Sequence, residues 1–204
     1  MVSLREKQKE RRERSILSAT AELLELKGYN NTSIEEIADK AEVGVGTVYN
    51  YFHSKAELVL ELSKQWTTEI LKKGQAIVDN PPSDPIEAVS SLFCIYIEVF
   101  ISGHSKSLLR ELFAITFTEQ ISYAKEQLKL DYALIAQVAR LMKKIKKRGQ
   151  LVRGVKPEEA AYLLYMASMT NLLVFIFDDE VTLEPAMKAM QQSVRLIFHG
   201  LAPK

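Results

Sequence analysis

Signals for the start of a helix lie close together near one end of this chain, and they leave little room between them. Residues 32–36, Thr-Ser-Ile-Glu-Glu, contain two overlapping capping boxes, and residues 54–57, Ser-Lys-Ala-Glu, contain another. A turn at residues 43–44, Val-Gly, divides the interval. Only short helices fit there, so we predict one over about 33–40 and a second over about 45–51, which is the spacing of a helix-turn-helix.

The remainder of the chain also has helical periodicity. Apolar residues recur at three- and four-residue spacing, and the prolines of residues 79–85, DNPPSDP, provide the clearest break. Strand-like alternation is absent from the sequence. We predict further helices over about 3–27, 55–78, 85–101, 105–117, 120–148, 157–177 and 183–198. The expected fold is all-α with about nine helices, a helix-turn-helix domain over residues 1–53 and a second helical domain over residues 54–204.

The charges of the chain nearly cancel, since 27 basic and 26 acidic residues give a formal net charge of +1. Any contact with nucleic acid or a membrane must therefore rest on local patches. Residues 1–14 are rich in charge and no apolar h-region follows them. We therefore predict that the chain has no signal peptide and that it lies in the cytoplasm. The uncharged stretch 160–177 is long enough for a membrane helix, but its Ser168, Thr170 and Asn171 favour a helix buried within protein.

Two glycines, Gly44 and Gly46, admit three interpretations: a phosphate-binding loop, a structural turn, or the exposed start of a short helix that contacts another molecule. A dinucleotide-binding fingerprint needs a preceding strand and a third glycine in register, and neither is present. A helical wheel divides the segment into an inner face of Val45, Val48, Tyr49 and Phe52 and an outer face of Gly46, Thr47, Asn50 and Tyr51. The outer face carries hydroxyl and amide groups instead of Lys and Glu, which favours contact with DNA over a plain packing corner.

Residues 31–58, NTSIEEIADKAEVGVGTVYNYFHSKAEL, closely resemble the DNA-binding domain of the TetR family of transcriptional regulators. The resemblance covers about residues 15–62 and rests on Gly-Thr-Val-Tyr at 46–49, Tyr-Phe at 51–52 and Lys55. It implies a homodimer that binds double-stranded operator DNA and has a C-terminal domain for a small-molecule effector and for dimerisation. The candidate DNA contacts, from the resemblance and from the polar face together, are Ser33, Val45, Gly46, Thr47, Tyr49, Asn50, Tyr51 and Lys55.

Some positions in this segment depart from the family pattern, and at others the helical wheel and the family resemblance disagree. Glu42 stands where glycine is common and puts a carboxylate near the DNA, and Val45 stands where a polar or basic residue is common. Recognition of the DNA sequence would then depend on contact with thymine methyl groups and on DNA shape. The wheel turns Val45 and Tyr49 inward, whereas the resemblance turns them to DNA. We follow the resemblance at Val45, and Tyr49 could bury its ring while its hydroxyl reaches a phosphate.

Basic side chains form two local runs. The first contains Arg5, Lys7, Lys9, Arg11, Arg12 and Arg14. A flexible arm that contacts phosphate or the minor groove, and a frayed, solvated helix end with ion pairs, are both open interpretations. The second run, KKIKKR at residues 143–148, ends a predicted helix, where cations oppose the helix dipole. We expect a solvated helix end there and no second nucleic-acid patch.

The second domain is expected to bind a small, largely apolar effector whose binding releases the operator. The candidate pocket residues are Tyr96, Phe100, His104, Phe113, Phe117, Met166, Met169, Asn171 and Phe175. The last helix carries an apolar stripe that, paired with the uncharged helix before it, predicts a four-helix dimer interface. The stripe consists of Leu183, Met187, Met190, Val194, Ile197 and Leu201.

An enzyme is the competing function class. The histidines, His53, His104 and His199, have no metalloprotease spacing, and no nucleophile motif is present. Cys94 lies in an apolar run and is expected to be a buried side chain. We therefore predict no catalytic site, no metal and no cofactor. The prediction is a DNA-binding, ligand-responsive repressor, and the alternative is a helical protein-interaction adaptor without specific DNA binding.

Overall fold

The computed structural model describes residues 3–118 and 121–201, with the side chains of residues 116–118 and 201 left out. Within these residues the regular structure is entirely helical, which confirms the predicted all-α fold. The helices are α1 (Leu4–Lys27), α2 (Ile34–Lys40), α3 (Val45–Tyr51), α4 (Lys55–Asp79), α5 (Pro85–Ile101), α6 (Lys106–Thr118), α7 (Ile121–Lys147), α8 (Pro157–Phe177) and α9 (Leu183–Leu201). The bounds of α3, α5 and α8 coincide with the predicted ones.

The start of α2 selects one of the two overlapping capping boxes. The Ser33 hydroxyl accepts the Glu36 N–H at 3.2 Å, and the Glu36 carboxylate accepts the Ser33 N–H at 2.9 Å. Thr32 is instead buried and donates its hydroxyl to the Gly28 carbonyl at 2.8 Å. Ser33 is therefore the N-cap, and Thr32 closes the turn that follows α1.

The chain divides into two compact units. The first comprises Met1–Gln65 and Ser107–Gln127, so it includes α1 to α3, the start of α4, nearly all of α6 and the start of α7. Its core is built from apolar side chains of all the N-terminal helices, among them Ile16, Leu17, Leu24, Ile37, Val48, Phe52 and Leu58. Burial of such side chains contributes roughly 1.5–3 kcal/mol each, and it fixes the two short helices α2 and α3 against α1 and the start of α4.

The second unit comprises Trp66–Lys106 and Leu128–Lys204. A buried polar network crosses its centre: Tyr96 donates to Gln137 Oε1 at 2.7 Å, and Gln137 Nε2 donates to the Leu71 carbonyl at 2.8 Å. Gly74 permits this close approach, because a Cβ there would lie 2.7 Å from Gln137 Oε1. Hydrogen bonding satisfies these buried groups and joins α4, α5 and α7 within the unit.

The second basic run is largely exposed to solvent, as predicted, and it also donates hydrogen bonds to nearby loops. Lys144 donates to the Asp79 carbonyl at 2.9 Å, and Arg148 donates to the carbonyls of Pro81 and Pro82 at 3.2 and 2.7 Å. Lys146 donates to the Val155 carbonyl at 2.8 Å. These cations cap backbone oxygens, which accounts for the cluster without a second nucleic-acid patch.

The α8 helix is long and apolar enough to cross a membrane by length and composition, and 39% of that window is buried inside the protein. One face packs inward through residues such as Ala161, Leu164 and Ile176. The opposite face is exposed, although the sequence predicted a helix buried between two layers. Its exposed apolar residues are Tyr162, Leu163, Met166, Val174 and Phe177, and we call them the outer face of α8.

Candidate nucleic-acid interface

The short helix α3 presents a polar face away from the core of the first unit. Val48 is fully buried and Phe52 is 4% exposed, so these two side chains anchor the helix. Gly46, Tyr49 and Asn50 are exposed, and Val45, Thr47 and Tyr51 are partly exposed. The exposed face of α3 thus carries amide and phenol groups and no charge, which suits hydrogen bonding to phosphates and base edges.

Tyr49 corrects the helical wheel. The wheel turned this side chain inward, but the structure leaves it 48% exposed. The reason is that α3 has only seven residues and is anchored by Val48 and Phe52, so the core covers a narrow strip of its surface. Tyr49 thus lies on the surface, as the family resemblance implied.

Gly46 is not required by the fold. It lies inside α3 and is exposed, and a Cβ at this position would meet no atom within 4 Å. Glycine lowers helix stability by up to about 1 kcal/mol relative to alanine, so the protein carries a cost here that no internal contact explains. Close approach of an outside molecule to the backbone is a physical reason for a glycine at such a site.

Ser33 lies at the start of α2 and is partly exposed. Its hydroxyl oxygen accepts the Glu36 N–H in the capping box, and a hydroxyl that accepts a hydrogen bond can still donate its own proton. The carboxylate of Glu36 is held by Lys27 and by Ser33, and these contacts lower the pKa of Glu36 to about 2. The Glu36 carboxyl group therefore stays ionised at neutral pH, and the capping box fixes the Ser33 side chain.

Lys55 makes internal contacts that the sequence did not predict, and its contact with a phosphate stays a prediction. Its ammonium group donates to the carbonyls of Thr32, at 2.8 Å, and of Tyr29, and it lies 4.1 Å from the centre of the Tyr29 ring. These contacts tie the start of α4 to the turn between α1 and α2. The ammonium group thus binds carbonyl oxygens and an aromatic ring of the chain itself, and these contacts orient the helices around α3.

The turn before α3 holds a strained residue. Glu42 has a φ of 56°, and among the described residues it is the one non-glycine with positive φ. This left-handed conformation costs an L-residue with a side chain roughly 1 kcal/mol, which glycine avoids. Glu42 is also exposed, so its carboxylate lies at the surface next to the start of α3.

The first basic run is helical, which favours the helix-end interpretation over a flexible arm. It occupies the first turns of α1, which begin with a capping box between Ser3 and Glu6. Its Lys and Arg side chains are exposed, and the buried face of α1 begins at Ile16. Contact of these side chains with DNA stays a prediction.

Comparison with known proteins identifies the segment that contains α3. The family model "Bacterial regulatory proteins, tetR family" matches residues 16–62. The HTH-type transcriptional repressor KstR of Rhodococcus jostii (strain RHA1) is 40% identical over 81 residues, which are 39% of this chain and 36% of that protein. The segment that carries α2 and α3 therefore matches the TetR family.

Solved structures extend the TetR likeness from the N-terminal segment to the whole fold. A transcriptional regulator from Mesorhizobium loti MAFF303099 assigned to the TetR family has a TM-score of 0.75 at 22% identity, over 95% of this chain and 98% of that chain. Thermus thermophilus FadR, a TetR-family repressor in complex with lauroyl-CoA, has a TM-score of 0.73 at 21% identity, over 94% and 96% of the two chains. These likenesses concern the fold. The curated repressors match over less than half of their length, 24–49%.

The predicted effector-pocket residues fall into separate surroundings. Tyr96 belongs to the buried network with Gln137, and burial raises the pKa of its phenol. Phe100 and His104 come together on the single tryptophan: the Trp66 ring lies 6.1 Å from Phe100 and 4.4 Å from His104, centre to centre. We call these three side chains the Trp66 cluster.

Several of the other predicted pocket residues lie in surroundings of their own. Asn171 donates to Ser193 of α9 at 3.2 Å, Phe175 lies under the Lys106 ammonium at 4.4 Å, and Met166 is 43% exposed. Met169 is partly exposed on α8, Phe113 belongs to the first unit, and the side chain of Phe117 lies outside the described residues.

A polar groove between α5 and α9 was not predicted. It has a volume of about 430 Å³, and its lining includes Glu87, Ser91, Cys94 and Arg195. Cys94 is half-buried, whereas the sequence predicted a buried side chain. Burial raises the pKa of its thiol, which therefore stays protonated at neutral pH. None of the predicted pocket residues lines this groove.

The predicted dimer stripe on α9 needs a correction. Met190 and Val194 are 0% and 2% exposed, so they pack inside the protomer and present no surface to a partner. Met187 and Ile197 are partly buried, Leu183 is 36% exposed, and the side chain of Leu201 lies outside the described residues. Most of the exposed apolar side chains of these two helices lie on the outer face of α8, the other helix of the predicted interface. A helix without charge on any side signalled this second face, but the sequence did not show which face the core would cover.

Proposed function

We propose that this chain is a transcriptional repressor that binds a palindromic operator as a homodimer and releases it when a small, largely apolar effector binds. The observation that carries the proposal is the exposed face of α3, where Gly46 opens the backbone and Tyr49 and Asn50 offer hydrogen-bonding groups. Relatives named as repressors support repression as the direction of the effect. Access to DNA requires the cytoplasm, and we propose that location.

DNA recognition would use contacts of two kinds. Tyr49, Asn50, Thr47 and Tyr51 can donate to phosphates or meet base edges, and Ser33 can donate to a phosphate from the start of α2. Val45 can contact a thymine methyl group. The face lacks an arginine that would pair with guanine, so we expect strong dependence on DNA shape.

A dimer gives the operator its symmetry. Two copies of α3 reach successive major grooves when they are separated by roughly 34 Å, so a palindromic site matches a two-fold dimer. We propose the outer face of α8 as the dimer surface, because its five exposed large apolar side chains lie along one helix. Contiguous exposed apolar surface of this kind is typical of protein interfaces.

The Trp66 cluster is the proposed contact for the effector. Its aromatic rings are partly exposed and offer an apolar surface with one imidazole for orientation. Because the chain has one tryptophan, intrinsic fluorescence reports this site directly. Titration with apolar carboxylic acids of increasing chain length should change that fluorescence and lower operator affinity in parallel, as reciprocal coupling requires. A fluorescence change without any effect on DNA binding would reject this site as the effector site.

The DNA-binding proposal is tested by selecting sequences from a random duplex library with the purified full chain. A repressor of this kind enriches a palindrome with two half-sites about one helical turn apart. Fluorescence anisotropy then compares the selected duplex with a scrambled one, for the chain and for Asn50→Ala. A helical adaptor without DNA binding would enrich no sequence, and that outcome would refute the proposal.

A further inference from the structure

Two residues from distant parts of the sequence contact the helix-turn-helix. Glu111 lies on α6 and Tyr123 lies near the start of α7, and both belong to the first compact unit. The predicted DNA-binding domain ended at residue 53 and contained neither of them. Each makes one specific hydrogen bond to the segments that surround α3.

Glu111 holds the turn between α1 and α2. Its carboxylate accepts the N–H of Tyr29. Gly28 makes room for it, since this residue has a φ of 79° and a Cβ there would lie 2.9 Å from the Oε2 atom of Glu111. The carbonyl of the same Tyr29 accepts a hydrogen bond from Lys55. The Tyr29 backbone is therefore held from α6 on one side and from α4 on the other.

Tyr123 holds the residue next to Lys55. Its hydroxyl shares a hydrogen bond of 2.9 Å with the Ser54 hydroxyl. The Ser54 oxygen also accepts the Glu57 N–H at 3.1 Å and so caps α4. Tyr123 thus contacts Ser54 directly, and Glu111 is linked to the neighbouring Lys55 through the Tyr29 backbone. We call these two adjacent residues the Ser54–Lys55 corner. This corner follows α3 directly in the chain, after Phe52 and His53.

We propose that Glu111 and Tyr123 are positioning residues for DNA binding: by holding the Ser54–Lys55 corner, they set the orientation in which α3 meets the DNA. The inference rests on the proposed function. Neither side chain needs to touch the DNA, because Glu111 acts through the Tyr29 backbone and Tyr123 acts through Ser54, which caps α4. Their removal leaves α3 folded but less restrained.

The physical consequence is a cost of ordering on binding. When only a fraction of the molecules hold α3 in the competent orientation, the apparent affinity equals the intrinsic affinity multiplied by that fraction. A less restrained surface also loses more affinity for the specific operator than for non-specific DNA, because base contacts demand a defined register. The number of phosphate contacts stays the same, so the slope of log affinity against log salt stays the same.

The test uses Tyr123→Phe, Glu111→Ala and Glu111→Gln in the full chain. Tyr132→Phe is the matched control, because Tyr132 lies on the same helix α7 and is 60% exposed. Anisotropy measures affinity for the selected operator and for a scrambled duplex over a range of salt, at a temperature where circular dichroism shows every variant folded. Loss of one hydrogen bond predicts operator affinity about threefold to tenfold weaker for Tyr123→Phe and for Glu111→Ala.

The conservative variants give the readout that separates positioning from general stability. Glutamine retains an oxygen that accepts the Tyr29 N–H, so Glu111→Gln should stay within about twofold of the wild-type affinity. The salt slope should match wild type in every variant. Wild-type affinity in both Tyr123→Phe and Glu111→Ala would overturn the inference, and so would a slope reduced by about one unit, which indicates a lost phosphate contact. Failure of the wild-type chain to bind any duplex would instead refute the proposed function.

Discussion

The ammonium group of Lys55 donates a hydrogen bond to the carbonyl oxygen of Thr32 at 2.8 Å, and this contact ties the start of α4 to the turn before α2. The family resemblance implied that Lys55 contacts a phosphate, and the structure shows in addition that the same ammonium group binds carbonyl oxygens of the chain itself. The helix-turn-helix is therefore braced by a cation that also lies near its DNA-binding surface.

Replacement of this cation should weaken both the fold and DNA binding. Lys55→Ala leaves two carbonyls without a charged donor, so we expect a loss of about 1–3 kcal/mol in the free energy of unfolding. Operator affinity should fall while the salt slope stays nearly unchanged. Lys73→Ala on the same helix removes an exposed ion pair with Glu69 and should have little effect on either quantity. If the slope of log affinity against log salt falls by about one unit in Lys55→Ala, Lys55 contacts a phosphate directly.

Relief of backbone strain at Glu42 should stabilise the protein. Because this residue has a φ of 56°, Glu42→Gly should raise the free energy of unfolding by about 0.5–1 kcal/mol, measured by urea denaturation. It also removes a carboxylate from the turn before α3, so affinity for DNA should rise.

Glu42→Ala separates the two effects of this substitution. Alanine removes the charge but keeps the strain, so it should raise DNA affinity without the gain in stability. A Glu42→Gly protein that is less stable than wild type would contradict the strain argument.

The capping box of α2 should make stability depend on acid pH. The Lys27 side chain first, and then Ser33, lower the pKa of Glu36 from 4.5 to about 2. A lowered folded-state pKa means that this contribution is fully present above pH 4.5 and is lost as the pH falls toward 2.

The pH dependence is measured as the midpoint temperature of thermal unfolding at several pH values between about 2 and 4.5. Glu36→Gln can still cap α2, so its midpoint should change less over the same range. A carboxyl NMR titration should place the Glu36 pKa well below 4.5, and an unshifted value would contradict the contact with Lys27.

Charge on the outer face of α8 should dissociate the proposed dimer. Met166 and Val174 are 43% and 50% exposed in the protomer, so Met166→Glu and Val174→Glu should leave the fold intact and yield monomers in analytical ultracentrifugation. Leu128→Glu introduces the same charge at an apolar side chain of α7 that is 53% exposed, and it should remain dimeric. Dimers that persist in both α8 variants would exclude this surface. Val194 is unsuitable for the test because a buried charge there would unfold the protein.

The sequence predicted elements better than faces. Capping residues, prolines and glycines act locally, so α3, α5 and α8 were predicted with their observed bounds. Which side of a helix the core covers depends on neighbours distant in sequence, and this is why Tyr49 was assigned inward and Met190 and Val194 outward. The contacts of Glu111 and Tyr123 have no local signal, since each joins segments that lie far apart along the chain.

Gly46 offers the most direct test of the central claim, that the exposed face of α3 meets DNA at close range. A Cβ at this position would meet no atom of the protein within 4 Å, so Gly46→Ala should retain the wild-type stability or gain up to about 1 kcal/mol. Gly200→Ala on α9 is the matched control, because its Cβ would also meet nothing within 4 Å.

The deciding measurement is the affinity of Gly46→Ala for the selected operator, by fluorescence anisotropy beside wild type and Gly200→Ala. Close approach of the α3 backbone to DNA predicts a loss of about tenfold or more, at least 1.4 kcal/mol, with no loss of folding stability. The Gly200→Ala protein should bind as wild type does. Wild-type affinity in Gly46→Ala would contradict the account, because the added methyl group would then meet no DNA.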